Sequence, residues 1–203
     1  MTRTRGTITR MDDVVQRVID RVTEAAARHD ATQENRLDRW RVLEPDAGRF
    51  LWFLAQTVGA RNIVEIGTSR GVSTLWLADA ARASGGRVIS YDTDPDAQRD
   101  AARTIEEAGL QAFVELRLGD GGEGLATLGD GAVDLLFLDS ERPEYPSWWP
   151  HPVRVLRSGG VLVADNALSH PDEIAPLHDL LLSDLTAVTT IPVGKGELVA
   201  LRG

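Results

Sequence analysis

Two apolar runs in this chain end on oxygen-bearing side chains. Leu135-Leu136-Phe137-Leu138 runs into Asp139, and Val161-Leu162-Val163-Ala164 runs into Asp165-Asn166. Two carboxylates and an amide form an oxygen-only donor set, which suits a hard cation such as magnesium. Each of the three taken singly reads first as a turn or helix-capping residue, a common use of Asp and Asn. Their joint position, at strand ends facing one crevice, favours the ion. A second group points to a nucleotide-like ligand. The stretch Val64-Glu65-Ile66-Gly67-Thr68-Ser69-Arg70-Gly71-Val72-Ser73-Thr74 reads as an apolar strand, a Gly-bearing turn and the start of a helix. Such a unit sets backbone N–H groups and the positive helix end toward a ligand, and Gly67 and Gly71 let the backbone come close. Asp92 lies about 20 residues beyond Gly71, where an acid accepts hydrogen bonds from a ribose diol. The glycine spacing is not the Gly-x-Gly-x-x-Gly of dinucleotide binders, and a Gly-Lys-Ser/Thr phosphate loop is absent. An ordinary βα turn is the alternative reading of this stretch.

These residues need a scaffold that brings strand ends together. From Asp12, Val14, Val15, Val18, Ile19 and Val22 recur at helical spacing. Residues 1–10 are expected to fray, and Asp30–Trp40 is polar and carries no clear period. Pro45 fits the first turn of a second helix, whose apolar face is Phe50, Leu51, Phe53, Leu54 and Val58 and whose end is Gly59. Strands are then expected at Asn62–Ile66, Arg87–Tyr91, Phe113–Leu116, Val133–Leu138 and Gly160–Ala164. Helices are expected at Ser73–Ala83, Pro95–Ala108, Gly122–Leu128 and Tyr145–Leu156. This alternation implies a mainly parallel sheet covered on both faces, with ligands collecting at the carboxyl ends of its strands. A helix near Asp172–Leu182 precedes two runs, Thr186–Pro192 and Glu197–Arg202, joined through Gly194-Lys195-Gly196. That pair reads as a terminal hairpin, so the last strand is expected to be antiparallel.

The bulk composition narrows the classes. The 203 residues suit one domain with a sizeable core, and 42% hydrophobic with 26% charged residues is a globular profile. A net charge of −9 gives no basic excess to neutralise phosphates, which argues against nucleic-acid partners. The chain has no cysteine, so disulfides, zinc–thiolate sites and thiol nucleophiles are excluded. The start Met1–Arg10 is basic and polar, unlike a secretory signal, and no apolar run is long enough for a bilayer. A cytoplasmic protein without a membrane partner is the expectation.

Val64–Thr74, Asp92, Leu138-Asp139-x-x-Arg142-x-x-Tyr145, Gly159-Gly160-Val161 and Asp165-Asn166 together resemble class I S-adenosylmethionine-dependent methyltransferases. More narrowly, they are similar to the divalent-metal-dependent catechol and caffeoyl-CoA O-methyltransferases. The resemblance runs from about Arg41 to the C-terminus and includes Glu44-Pro45-Asp46-Ala47-Gly48. It implies an α/β Rossmann-like fold: a seven-stranded, mostly parallel sheet with an antiparallel last strand and helices on both faces. It also implies a methyltransferase domain at 41–203 behind an N-terminal helical segment at 1–40. By position, Glu65, Gly67 and Ser73 would line the methionine part of S-adenosylmethionine, with Gly71 shaping the loop. Asp92 would hold the ribose, and Gly121 and Glu141 would lie near the adenine. Asp139, which also borders the cofactor, would hold a divalent cation with Asp165 and Asn166. The implied reaction is O-methylation of a small, aromatic, catechol-like acceptor. The implied assembly is a homodimer, for which the N-terminal helices, Trp148 and Trp149 offer apolar surface.

Two features depart from the family pattern. Arg142 stands where relatives carry a lysine, the proposed base, and arginine does not give up its proton at useful pH. Arg142 is left to steady a phenolate or an acidic group. The segment after Asn166 is short, and His170 follows it closely. His170 is a replacement base or an extra ligand in one reading, and a loop histidine before a helix in the other. Trp40 and Arg41 are placed to approach the cofactor pocket from the N-terminal side. A metal-independent N- or C-methyltransferase, a nicotinamide oxidoreductase and a non-catalytic cofactor-binding protein are the competing classes.

Overall fold

The computed structural model describes residues 10–35, 38–185 and 187–203. The expected fraying of residues 1–10 thus lies, but for Arg10, outside the described residues. Helix α1 (Asp13–Asp30) is capped by the Asp12 carboxylate, which accepts from Val14 N at 2.7 Å. Helix α2 (Pro45–Thr57) opens on its proline and is followed by Gly59 at φ 62°. The chain then runs β1 (Asn62–Ile66), α3 (Val72–Ser84), β2 (Arg87–Asp92), α4 (Pro95–Glu107), β3 (Val114–Leu118), α5 (Gly121–Thr127) and β4 (Val133–Leu138). It continues through α6 (His151–Arg154), β5 (Leu156–Ala164), α7 (Pro171–Asp184), β6 (Ala187–Ile191) and β7 (Glu197–Leu201).

The strands form one seven-stranded sheet in the order β3-β2-β1-β4-β5-β7-β6. Strands β1 to β5 are parallel, and β7 is antiparallel to both β5 and β6, as the hairpin pattern requires. Strand alternation splits the core in two. Ile63, Leu135, Phe137, Val161 and Val163 pack with Val15, Ile19, Leu51, Leu75 and Ala101 on one face. Val64, Ile66, Leu136, Leu138, Leu162 and Ala164 pack with Leu125, Tyr145, Leu177 and Leu181 on the other. Strands buried on both sides read as continuous apolar runs, which is how β4 appears in the sequence. No helix among the described residues is long and apolar enough to cross a membrane.

Two expected elements are corrected. Tyr145–Leu156 is not one helix: Arg142–Trp148 is a 3-10 segment and only His151–Arg154 is α-helical. Pro146, Pro150 and Pro152 each lack an N–H and constrain the residue before them, so a continuous helix is broken. β5 starts at Leu156 rather than Gly160, with a register irregularity against β4 between Val133 and Leu135 and Gly159 at φ 71°. The glycine pair hid this bulged half of the strand.

β1 is hydrogen-bonded to both β2 and β4. The strand order turns there, and a crevice opens beyond the carboxyl ends of these strands.

Candidate active site

The crevice is a cavity of about 700 Å³, of a size suited to a nucleotide-like ligand and a small second molecule. Of the residues expected at the site, Gly67, Asp92, Gly121, Asp139, Glu141, Arg142, Asn166 and His170 line it. Trp40, Arg41, Tyr91, Trp148 and Lys195 complete much of the wall.

One half is built by the loops after β1, β2 and β3. Gly67 has φ 106°, and a Cβ there would fall 2.2 Å from the Asp139 carbonyl oxygen, so only glycine lets β1 and β4 close on each other. Asp92 ties two loops together: its Oδ2 accepts from Ser69 N at 2.8 Å and its Oδ1 from Asp94 N at 2.9 Å. Gly121 fits against Ile66, whose Cγ2 would be 2.2 Å from an added Cβ. These contacts leave bare backbone and one carboxylate facing the cavity.

Glu65 and Ser73, expected to line the methionine part, lie behind the wall instead. Strand alternation turns Glu65 away from the cavity into the α3 side of the sheet, where it has no solvent exposure. Its Oε2 accepts from Thr74 Oγ1 and Ser90 Oγ, each at 2.5 Å, while Oε1 has no hydrogen-bond partner. Burial lifts its carboxyl to about 7 against the opposing pull of the Ser73, Ser90 and Thr74 hydroxyls. Gly71 caps α3 at φ 82°, with Ala101 of α4 packed against it.

The other half is acidic. Asp139 N donates to Ile66 O at 2.9 Å and Asp165 N to Leu138 O at 3.1 Å, continuing the sheet ladder past the ends of β4 and β5. Asn166 adopts φ 70°, a left-handed conformation that asparagine tolerates. Its amide reaches Asp165 Oδ2 at 2.8 Å and Asp139 Oδ1 at 3.4 Å, so the three polar heads meet. Asp165 and Asn166 are 3% and 9% exposed. Asp139 is held well above the usual carboxylate range, first by burial and then by Asp165 and Glu65, and burial lifts Asp165 to about 6. Two carboxylates and an amide this close together form an oxygen donor set whose chemistry fits a hard cation. Among the described residues no three His, Cys, Asp or Glu side chains stand ready in a ligating arrangement. A third oxygen donor would be the Asn166 amide, whose nitrogen faces the two aspartates and whose oxygen would take its place by a half-turn.

Arg142 is 4% exposed and spent on Glu173, with Nε and Nη2 at 2.8 and 2.7 Å from its Oε2. His170 is the N-cap residue of α7 and sits 2.9 Å through Nδ1 from Ser169 Oγ. Tyr145 is fully buried and holds the Asp139–Ser140 turn, its hydroxyl accepting from Ser140 N at 2.8 Å. Trp148, expected as dimer surface, is instead 7% exposed and packs on Gly122 and Tyr145 while bordering the cavity. Trp40 is wedged between His29, stacked at 4.4 Å, and Arg70, 4.6 Å above the ring. Asp30 fixes that segment by accepting from Trp40 N and Arg41 N, and Arg41 reaches Glu141 at 3.5 Å.

Glu44, Lys195 and Glu197 were not expected at the site. Lys195 Nζ lies 2.6 Å from Glu44 Oε1, and Glu197 is fully buried beside Asp165. The one sequence signal was a carboxylate at the start of the otherwise apolar run Leu198–Leu201.

Residues 20–181 match the model of the O-methyltransferase family. A catechol O-methyltransferase of Niastella koreensis is 37% identical over 62% of this chain, and the match spans 58% of that relative, less than two thirds of its length. The O-methyltransferase of Bacillus cereus, solved in complex with SAH, superposes with a TM-score of 0.77 at 27% identity, covering 97% of this chain and 94% of that one. The O-methyltransferase of Streptomyces achromogenes involved in tomaymycin synthesis, solved with SAM, gives 0.74 at 28% identity, covering 97% and 92%.

Proposed function

The chain belongs to the O-methyltransferase family, and on that premise we propose that it moves the methyl group of S-adenosylmethionine onto a hydroxyl of a small aromatic vicinal diol, with a divalent cation such as magnesium. The observation that carries this reading is the meeting of two halves in one cavity: Gly67, Asp92 and Gly121 on one side, Asp139 and Asn166 on the other.

Asp92 accepts from the ribose hydroxyls, and the bare backbone at Gly67 and Gly121 lets the cofactor lie close, with Glu141 beside the adenine. Glu65, Ser73 and Gly71 act from behind by holding the shape of the loop. The sulfonium methyl is already activated, so the protein's task is to align an oxygen behind it. Asp139, Asp165 and Asn166 would hold a divalent ion, which would supply positive charge to orient the acceptor and lower its hydroxyl pKa. Trp40 and Trp148 offer flat walls for an aromatic ring. His170 takes the acceptor proton. Arg142, clamped by Glu173, keeps its proton and sets a fixed positive charge near the developing phenolate. The reading includes a cytoplasmic homodimer joined through exposed apolar side chains of the N-terminal helices, Val14 and Phe53, and a helical segment 1–40 ahead of the domain 41–203.

Incubation with S-adenosylmethionine and catechol, followed by mass spectrometry, tests the proposal. A monomethylated product with magnesium and none in EDTA is expected. Full turnover in EDTA moves the chain to the metal-independent class, and calorimetry showing nicotinamide dinucleotide bound in place of S-adenosylhomocysteine overturns the reading.

A further inference from the structure

Glu44, Lys195 and Glu197 surround the Asp139–Asp165 pair and take no part in the steps above. Strand register brings Glu197 there. β7 runs antiparallel to β5 with Ala164 opposite Leu198, so Glu197 adjoins Asp165. Glu197 has no solvent exposure, and its carboxyl group lies within hydrogen-bonding reach of the Asp165 side chain. Glu44 is the N-cap residue of α2 but makes no capping bond. Its Oε1 takes the Lys195 ammonium at 2.6 Å, and its Oε2 is buried without a partner.

The Lys195 turn is held from two sides. Its carbonyl accepts from Leu168 N at 2.9 Å and Ser169 N at 3.1 Å, and the Gly196 carbonyl accepts from Ala167 N at 2.8 Å. Gly194 N donates to Asp46 Oδ2 at 3.1 Å. Gly196, at φ 95°, packs on Leu168, with no room for a Cβ. The loop that follows Asn166 and the start of α2 therefore fix where the lysine stands. From there it lines the same cavity as Asp139 and Asn166, with its ammonium on Glu44. Carboxyl groups from four elements, the start of α2 and the ends of β4, β5 and β7, gather near this tethered positive charge.

We infer that the Lys195 ammonium is the built-in counter-ion of this carboxylate ring and competes with a divalent cation for Asp139 and Asp165. The inference rests on the reading that Asp139, Asp165 and Asn166 hold such an ion. Two cations cannot crowd one set of carboxylates without mutual repulsion, so the ion enters only against the field of the Glu44-tethered lysine. The wild-type chain is accordingly a weak divalent binder whose site keeps its charge partly neutralised when no ion is bound.

The test is Mn²⁺ binding by calorimetry and electron paramagnetic resonance on the full chain, without acceptor or turnover. Lys195→Met is expected to bind Mn²⁺ at least about tenfold more tightly than wild type, and Lys195→Arg, which keeps the charge, to stay within about threefold. Asp165→Ala is expected to abolish binding in both backgrounds. A cooperative thermal melt establishes that each variant is folded, and Lys195→Gln replaces Lys195→Met if the latter is not. Unchanged or weaker Mn²⁺ binding in the neutral variant, with Asp165→Ala still abolishing it, overturns the role of Lys195 and leaves the ion site standing. Absence of Mn²⁺ binding in wild type and neutral variant alike overturns both.

Discussion

Glu65→Gln is expected to change how stability depends on pH. The wild-type carboxyl is fully buried, and its proton is held to about 7 against 4.5 in an exposed chain. The folded state therefore binds this proton more tightly than the unfolded one. The stability it contributes is complete below about pH 4.5 and is lost as pH rises through about 7. The span between those values corresponds to roughly 3 kcal/mol, at about 1.4 kcal/mol per pH unit. Glutamine keeps the shape and an oxygen to accept from Thr74 and Ser90, but it does not titrate. Other buried acids also titrate, Asp165 among them, so the informative quantity is the difference between wild type and variant. The assay is urea unfolding, without ligand or metal, at intervals from pH 4.5 to 8. Glu65→Gln should gain roughly 3 kcal/mol on wild type across that range, or about 6–12 °C in melting temperature for a domain of this size. Parallel profiles would refute the reasoning, because they would mean that the Glu65 carboxyl ionises in the folded protein as readily as in water.

Asp92→Ala should weaken S-adenosylhomocysteine binding by at least about tenfold in calorimetry, since a charged acceptor of hydrogen bonds contributes about 1.5–3 kcal/mol; unchanged affinity would remove the ribose assignment. Gly67→Ala should abolish that binding and lower the melting temperature, because its Cβ meets the Asp139 carbonyl at 2.2 Å and φ is 106°. At the opposite end of the sheet, Asp134 accepts from Arg61 N, Asn62 N and Arg157 Nε. Asp134→Ala should cost roughly 2–4 kcal/mol in urea unfolding by stranding those donors while leaving ligand affinity alone. His170→Ala should slow methyl transfer roughly 10²-fold with the metal requirement intact if the imidazole is the base, and unaltered turnover returns it to a loop residue.

The sequence alone determined the order of elements, because strand, glycine turn and helix each leave a local mark. The run from Val64 to Ile66, the turn at Gly67 and the apolar face of α3 are all contiguous, and so is the alternation that forces a doubly covered sheet. Asp92, Asp139, Asp165 and Asn166 were legible for the same reason: each ends a strand or follows it within two residues, and parallel strands place their ends side by side. Proline chemistry blurred Tyr145–Leu156, and the glycine pair hid the first half of β5. Tertiary structure decided the rest. Which side of β1 Glu65 faces depends on which sheet face each core covers, and that turned it from cavity lining to buried support. Arg142 and Glu173 pair across 31 positions, and Trp40 reaches the cavity because Asp30, His29 and Arg70 hold it there. Glu44, Lys195 and Glu197 come from the start of α2 and the final hairpin, far from Asp139 in the chain. Only the antiparallel register of β7 on β5 and the clamped turn before it gather them around the same carboxylates, and no local period records a contact of that kind.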